Sequence, residues 1–168
     1  MYRIPLVNVI AHLLAPGGPI PNHPRWPLLV YPGAVQKISA EAFEALFTRN
    51  HWPAAWRNGV HSFHHFHPDG HEALGIYSGE VTVLFGGDGG VTLTAKPGDV
   101  IVLPAGTGHK KLSSKGSLGV VGAYPAGTHP GTTTKMNLFD KTETIARVPL
   151  PAADPVHGPG GPLFKYWA

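Results

Sequence analysis

Between His61 and Tyr124 the chain breaks into six short runs rich in β-branched and aromatic residues, at 61–67, 73–77, 81–85, 91–95, 100–103 and 118–124, with glycine-containing turns between them. Runs this short suit strands and fall below the roughly ten residues a packed helix needs. They predict a strand meander or barrel. The glycine and proline content agrees: Gly 22 and Pro 18 in 168 residues supply many tight turns and would break a helical bundle. The clearest hairpin is at 86–90, where GGDGG joins VTVLF to VTLTA and can accept positive φ. A phosphate-binding loop would need a helix after it and a lysine within it, and the segment has neither. The expected class is all-β.

The flanks read differently. Segment 16–33 is dense in Pro and Gly around the apolar run Leu28 to Tyr31, which predicts an irregular outer arm carrying one strand. A helix is expected over 39–50, with Ser39 as N-cap, Glu41 near the positive end of the dipole, and Phe43, Leu46 and Phe47 on one face to dock onto the sheet. From about 125 the chain reads as extended or looped. Its end, Leu163, Phe164, Tyr166 and Trp167, is too apolar for a free tail and should pack on the barrel or on a second subunit. No linker or repeat divides the chain, so one domain over 1–168 is expected: an arm and helix (1–58), a barrel core (59–125) and a C-terminal extension (126–168).

Composition removes several functions. Hydrophobic residues are 42% and charged residues 14%, which argues for a folded body. Cysteine is absent, so there is no disulfide, thiolate nucleophile or thiolate metal ligand, and any metal must take N and O donors. The formal charge of +3 comes from scattered basic residues, which argues against nucleic acid. The apolar stretch Ile4 to Ala15 is interrupted by Pro5, Asn8 and His12 and has no A-x-A site after it, so neither a signal peptide nor a membrane span is expected. A cytoplasmic protein is the expectation.

Eleven histidines are the chemical signal. His12, His23, His51, His129 and His157 lie scattered in irregular sequence and read as surface or structural residues. The cluster is HSFHHFHPDGHE, 61–72. In an extended run His65 and His67 point to one face, as a chelating pair must, while His64 and Phe66 face the other way. After the Pro68-Asp69-Gly70 turn, Glu72 can bring a carboxylate beside the pair. Two histidines and a carboxylate leave open positions on a metal, the arrangement suited to non-haem iron. Downstream, Gly98, Pro104, Gly106 and His109 bracket the apolar strand VIVLP and a tight turn, from which His109 can enter the same cavity.

These residues resemble the two cupin motifs, G-x5-H-x-H-x4-E-x6-G and G-x5-P-x-G-x2-H-x3-N. Gly59, His65, His67, Glu72 and Gly79 match the first; Gly98, Pro104, Gly106 and His109 match the second, and Ser113 stands where the motif has Asn. That Asn is not a ligand in the family. The stretches PIPNHPRWPLLVYPGAV, RNHWPAAWRNGVHSFHHFHPDGHEALG, GDVIVLPAGTGHKKL, VVGAYPAG and DPVHGPGGPLFKYW extend the likeness over most of the chain to the small bacterial YjlB-type group of single-domain cupins. The resemblance implies an RmlC-like jelly roll, a double-stranded β-helix with one or two short helices outside. It implies one divalent metal ion on His65, His67, Glu72 and His109, and a small-molecule ligand in the barrel. Cupins commonly pair, so a homodimer is expected. The family implies no particular reaction.

Alternatives stay open at several positions. A change in turn geometry would offer His71 in place of Glu72, although strand alternation and the family spacing favour Glu72. His61 and Phe63 share the strand face of His65 and His67, and Tyr77 lies on the face opposite Glu72 if the strand is regular; for each, cavity lining is expected before catalysis. Trp52 and Trp56 can form an aromatic wall, but helix-on-barrel packing is the commoner use. Lys110 and Lys111 either attract an anionic substrate or are simply solvated. The leading function is a metal-dependent enzyme of the Fe/Mn oxygenase kind; the alternatives are a metal-supported isomerase or epimerase of a small polar metabolite and a non-catalytic metal- or metabolite-binding module. The metal can be Fe, Mn, Ni, Cu or Zn.

Overall fold

The computed structural model describes residues 8–134 and 141–168. Residues 4–7 of the apolar N-terminal stretch, and 135–140 in the C-terminal extension, lie outside them. The expected all-β class is what forms: a seven-stranded antiparallel sheet curled into a half-barrel, its strands ordered β1-β2-β6-β4-β7-β3 with β5 on β4. In chain order these are β1 (Ile10–His12), β2 (Leu28–Tyr31), α1 (Ala40–Arg49), β3 (Ala54–Asn58), β4 (Glu72–Phe85), β5 (Val91–Ala95), β6 (Val100–Leu103), β7 (His109–Ala123), α2 (Thr142–Arg147) and α3 (Leu163–Tyr166). Among the described residues three short helices accompany the sheet, where one or two were expected. None of the described helices is long and apolar enough to cross a membrane.

Alternation along the central strands sorts side chains into two cores. Leu74 and Ile76 of β4, Ile101 and Leu103 of β6, and Val120 of β7 share the inner core with Val81, Val83 and Phe85. Their neighbours Ala73, Val100, Val102, Val121 and Ala123 join the outer core, together with Phe43, Phe47, Trp52, Leu163 and Trp167. Burial on both faces is why VIVLP is a continuous apolar run. The same parity fixes the site: Glu72 lies on the face of Leu74 and Ile76, while His71 and Tyr77 turn outward.

Helix α1 starts as expected, the Ser39 hydroxyl accepting the Ala42 N–H at 3.0 Å, and docks Phe43, Leu46 and Phe47 on the outer face. The 86–90 segment closes the β4–β5 hairpin, with Phe85 opposite Val91. The runs 73–77 and 81–85 are a single strand, however. Gly79, φ +71, sits within the second of two successive register shifts, Ile76/Ser78 and Ser78/Glu80, so a bend inside β4 resembles a turn in sequence. Likewise 118–124 is only the end of β7, and β1 and β3 went unrecognised. The C-terminal end packs on the chain itself: Leu163 and Trp167 are fully buried, and Trp167 Nε1 donates to Pro27 O at 2.8 Å.

Candidate metal centre

His65 and His67 lie in extended chain that belongs to no ladder, a departure from the strand expected over 61–67. His65 makes an isolated bridge to His109, its N–H donating to His109 O at 3.2 Å and its carbonyl accepting the His109 N–H at 3.0 Å. Phe66 bridges Thr133 in the same way. Alternation still operates, because Phe66 is buried while both histidines turn to the cavity. Glu72 opens β4 and His109 opens β7. Gly106 links the halves: its N–H donates to His67 O at 2.7 Å, its φ is +86, and a Cβ there would meet Ile145 Cδ1 at 2.6 Å.

The ligand nitrogens of His65, His67 and His109 all lie within 4.8 Å of one another, and all three residues are buried. The backbone decides which nitrogen is which. Nδ1 of His65 lies 3.0 Å from Phe63 O, Nδ1 of His67 2.9 Å from Gly131 O, and Nδ1 of His109 3.0 Å from Thr107 O. A carbonyl can only accept, so each Nδ1 carries the proton and donates. Each neutral ring then keeps its lone pair on Nε2, the tautomer a metal-ligating histidine needs.

Glu72, 2% exposed, completes the arrangement. Its Oε2 lies 3.3 Å from His67 Nε2 and its Oε1 3.3 Å from His109 Nε2, yet Oε1 has no hydrogen-bond donor. The reason is the tautomer: the proton of His109 is on Nδ1. A buried carboxylate facing imidazole lone pairs is repelled unless a cation stands among them. A proton on His67 meets that need for one contact; a divalent ion meets it for all the rings together. The three rings therefore fit a metal ion bound through nitrogen, with the Glu72 carboxylate beside two of them.

The titration behaviour follows. Burial, reinforced by His109, pushes His65 down to about 3. Burial opposes protonation of His67, but the Glu72 carboxylate outweighs it and raises that ring above its ordinary value. Burial would raise Glu72; the neighbouring His67 and His109 hold it below the usual carboxylate range instead.

The centre opens into a cavity of about 330 Å³ whose wall includes Trp56, Val60, Leu74, Tyr124, Lys111 and Thr132. His61 lines it as expected. Phe63 does not: it stacks on His61 at 4.6 Å and is 48% exposed. Tyr77 turns the other way, into the outer core, and does not line the cavity. The packing role favoured for the two tryptophans holds for Trp52, whose Nε1 donates to Ala153 O at 2.8 Å in the outer core, and fails for Trp56. Trp56 lies on β3 across from Gly122, where a Cβ would sit 2.0 Å from its ring, and donates from Nε1 to the Tyr124 hydroxyl at 3.0 Å. Tyr124 was missed. It follows β7 directly, touches Glu72, and is raised to about 12 by burial and that charge.

His71 is not offered to the cavity. It accepts the Ala105 N–H on Nδ1 at 2.9 Å and so donates from Nε2 to Pro149 O, also at 2.9 Å. Its ring lies against Trp167 at 4.9 Å and Trp26 at 5.6 Å. His23, expected as a surface or structural residue, is structural: 2% exposed, stacked on Trp26 at 4.5 Å, with Nδ1 accepting from Trp26 N at 2.9 Å.

No family model matches the chain. It is 40% identical over 152 residues to "Uncharacterized protein YjlB" of Bacillus subtilis (strain 168), covering 89% of this chain and 91% of that protein. Among solved structures, a DUF861 family protein from Thermotoga maritima is 24% identical with a TM-score of 0.33, covering 52% of this chain and 92% of that one. The superposition is too loose to compare the two sites.

Proposed function

The chain belongs to the family of the Bacillus subtilis protein YjlB, and we propose that it is a cupin-type protein holding one divalent metal ion on His65, His67, His109 and Glu72. The observation that supports this most is the set of three Nδ1–H···O=C bonds, which leaves three Nε2 lone pairs converging beside a buried carboxylate. No structural role for the histidines needs that arrangement. A nitrogen and oxygen set of this kind accepts Fe, Mn, Ni, Cu or Zn.

Bound there, the ion would supply a Lewis acid and, for iron or manganese, redox chemistry with dioxygen. We therefore read the protein as a metal-dependent oxygenase of a small molecule. The chain's own part is to fix the three rings through backbone carbonyls, to keep Glu72 ionised, and to hold the apolar body of a substrate against Trp56 and Leu74. The Tyr124 hydroxyl, beside Glu72, is placed to donate a hydrogen bond to a ligand oxygen. The homodimer belongs to this reading too, but Leu163 and Trp167 are already spent in the chain's own core and cannot form its contact. Sedimentation giving only a 17.8 kDa species at micromolar concentration would remove it.

The test is elemental analysis of the full chain, stripped with chelator and reloaded with Fe(II), beside a His65→Ala/His67→Ala variant. About one ion per chain is expected for the wild type and under about a tenth for the variant, with circular dichroism confirming that both are folded. Equal metal in the two would sink the site. Oxygen uptake by the iron-loaded protein over a panel of small phenols, thiols and diketones then tests the oxygenase; turnover without oxygen would make it an isomerase or epimerase instead.

A further inference from the structure

The cavity wall carries a cation that the metal centre does not use. His109, Lys110 and Lys111 pair in unbroken register with Phe85, Leu84 and Val83 of β4. Lys111 is therefore on the strand face of His109, about 7 Å further along at roughly 3.3 Å per residue. Lys110 takes the opposite face, where its charge acts on His64. The structure thus separates two lysines that the sequence presents as a pair. Lys111 is half-buried and belongs to the cavity wall; Lys110 does not.

Among the described residues no carboxylate lies within 4.0 Å of Lys111. The wall contains a single acid, Glu72, and its two oxygens face His67 and His109, each 3.3 Å from an Nε2 atom. With a divalent ion in place the cavity holds two positive centres and one negative one. Apolar walls at Val60, Leu74 and Trp56 focus that excess rather than screen it. The chemistry that balances it is an anion supplied by the ligand.

We propose that Lys111 is the specificity-determining residue of this cavity and that the ligand is a small organic carboxylate, its charged end on the Lys111 ammonium and its apolar body against Trp56 and Leu74. The inference rests on the metal-centre reading above. A phosphate ester fits less well: the wall has no arginine, no glycine-rich nest and no helix N-terminus. The volume, near the lower end of the roughly 300–1,000 Å³ typical of ligand sites, also limits the guest to a compact molecule.

The experiment uses isosteric pairs that differ in charge, pyruvate against pyruvamide and benzoate against benzamide. Each is titrated into Co(II)-loaded full-length protein, following the cobalt spectrum, with cobalt content measured separately. The wild type should prefer each carboxylate to its amide. Lys111→Met should weaken carboxylate binding tenfold to a hundredfold, leave amide binding and cobalt content unchanged, and be largely rescued by Lys111→Arg. Full cobalt uptake with no carboxylate preference, or a preference that survives in Lys111→Met, overturns the inference and leaves the metal centre standing. Failure of the wild type to take up cobalt overturns the metal centre, and this inference with it.

Discussion

Two groups of buried histidines use the imidazole ring in opposite senses, although His67 and His71, one from each, stand only four residues apart. In the cavity, His65, His67 and His109 donate from Nδ1 to carbonyls and turn bare Nε2 atoms toward one another. Behind the sheet, His23 and His71 spend the Nδ1 lone pair on backbone N–H groups and lie flat or tilted against Trp26 and Trp167. Burial is similar in both. What differs is whether the main chain offers each ring an acceptor or a donor, and that choice decides whether a lone pair is left for a ligand.

The comparison breaks first on metal content. His65→Ala/His67→Ala should abolish stoichiometric binding and with it the stabilisation that metal confers, about 2.7 kcal/mol at a hundredfold excess over Kd. His71→Ala should do the reverse. It leaves the Ala105 N–H and the Pro149 carbonyl without partners and a hole beside two tryptophans, a cost of about 3–4 kcal/mol or roughly 6–16 °C in Tm. Metal per folded chain should stay at the wild-type value. A His71→Ala protein that is stable but metal-free would erase the distinction between the two groups.

A difference in pH response comes next. Burial, then the nearby His71 and Arg25, lower His23 to about 4 from 6.5. The folded state therefore resists a proton that the unfolded chain accepts, so this contribution to stability is complete above pH 6.5 and is lost as pH falls from 6.5 toward 4. Its size is up to about 3 kcal/mol for a shift of that extent. His23→Asn keeps an acceptor for the Arg25 and Trp26 amides and removes the titration. Urea midpoints of metal-free protein at pH 7.5, 5.5 and 4.5 should fall less steeply for the variant; identical slopes would mean that His23 titrates normally.

Much of this was legible in sequence because it rests on local rules. Strand alternation and the turn at 68–70 tied Glu72 to His65 and His67, the resemblance to the cupin motifs tied His109 to them, and Ser39 announced the start of α1. What was hidden depends on distant partners. The middle of β7, KKLSSKGS, is largely exposed and so lacks the apolar alternation that marks a strand. Trp56 becomes a cavity wall only because Gly122 on another strand makes room for it. Tyr124 has no motif and is functional by position. The partners of His71 were unreadable for a related reason: the Ala105 amide and the Pro149 carbonyl that fix its tautomer come from elsewhere in the chain.

The smallest expected effect tests that idea most directly. Of the three carbonyls that orient the cavity rings, two belong to residues beside their own histidine, Phe63 for His65 and Thr107 for His109, whereas His67 relies on Gly131, 64 residues away. Gly131 is held in turn by Asp69, whose Oδ1 accepts its N–H at 3.0 Å on the exposed side of the turn. Asp69→Ala removes that tether and, with it, a negative charge that acts on His67, so Asp69→Asn, which loses the charge and keeps an acceptor, is measured beside it. If the backbone acceptor sets ligand quality, metal affinity should fall by several-fold to about tenfold, the effect expected of an outer hydrogen-bond partner, while the unfolding midpoint of the metal-free protein barely moves. Competition with a chromophoric chelator measures the first quantity and urea denaturation the second. Unchanged affinity would mean that His67 is oriented by Glu72 alone, and the carbonyl would then be a consequence of the ring's position rather than its cause.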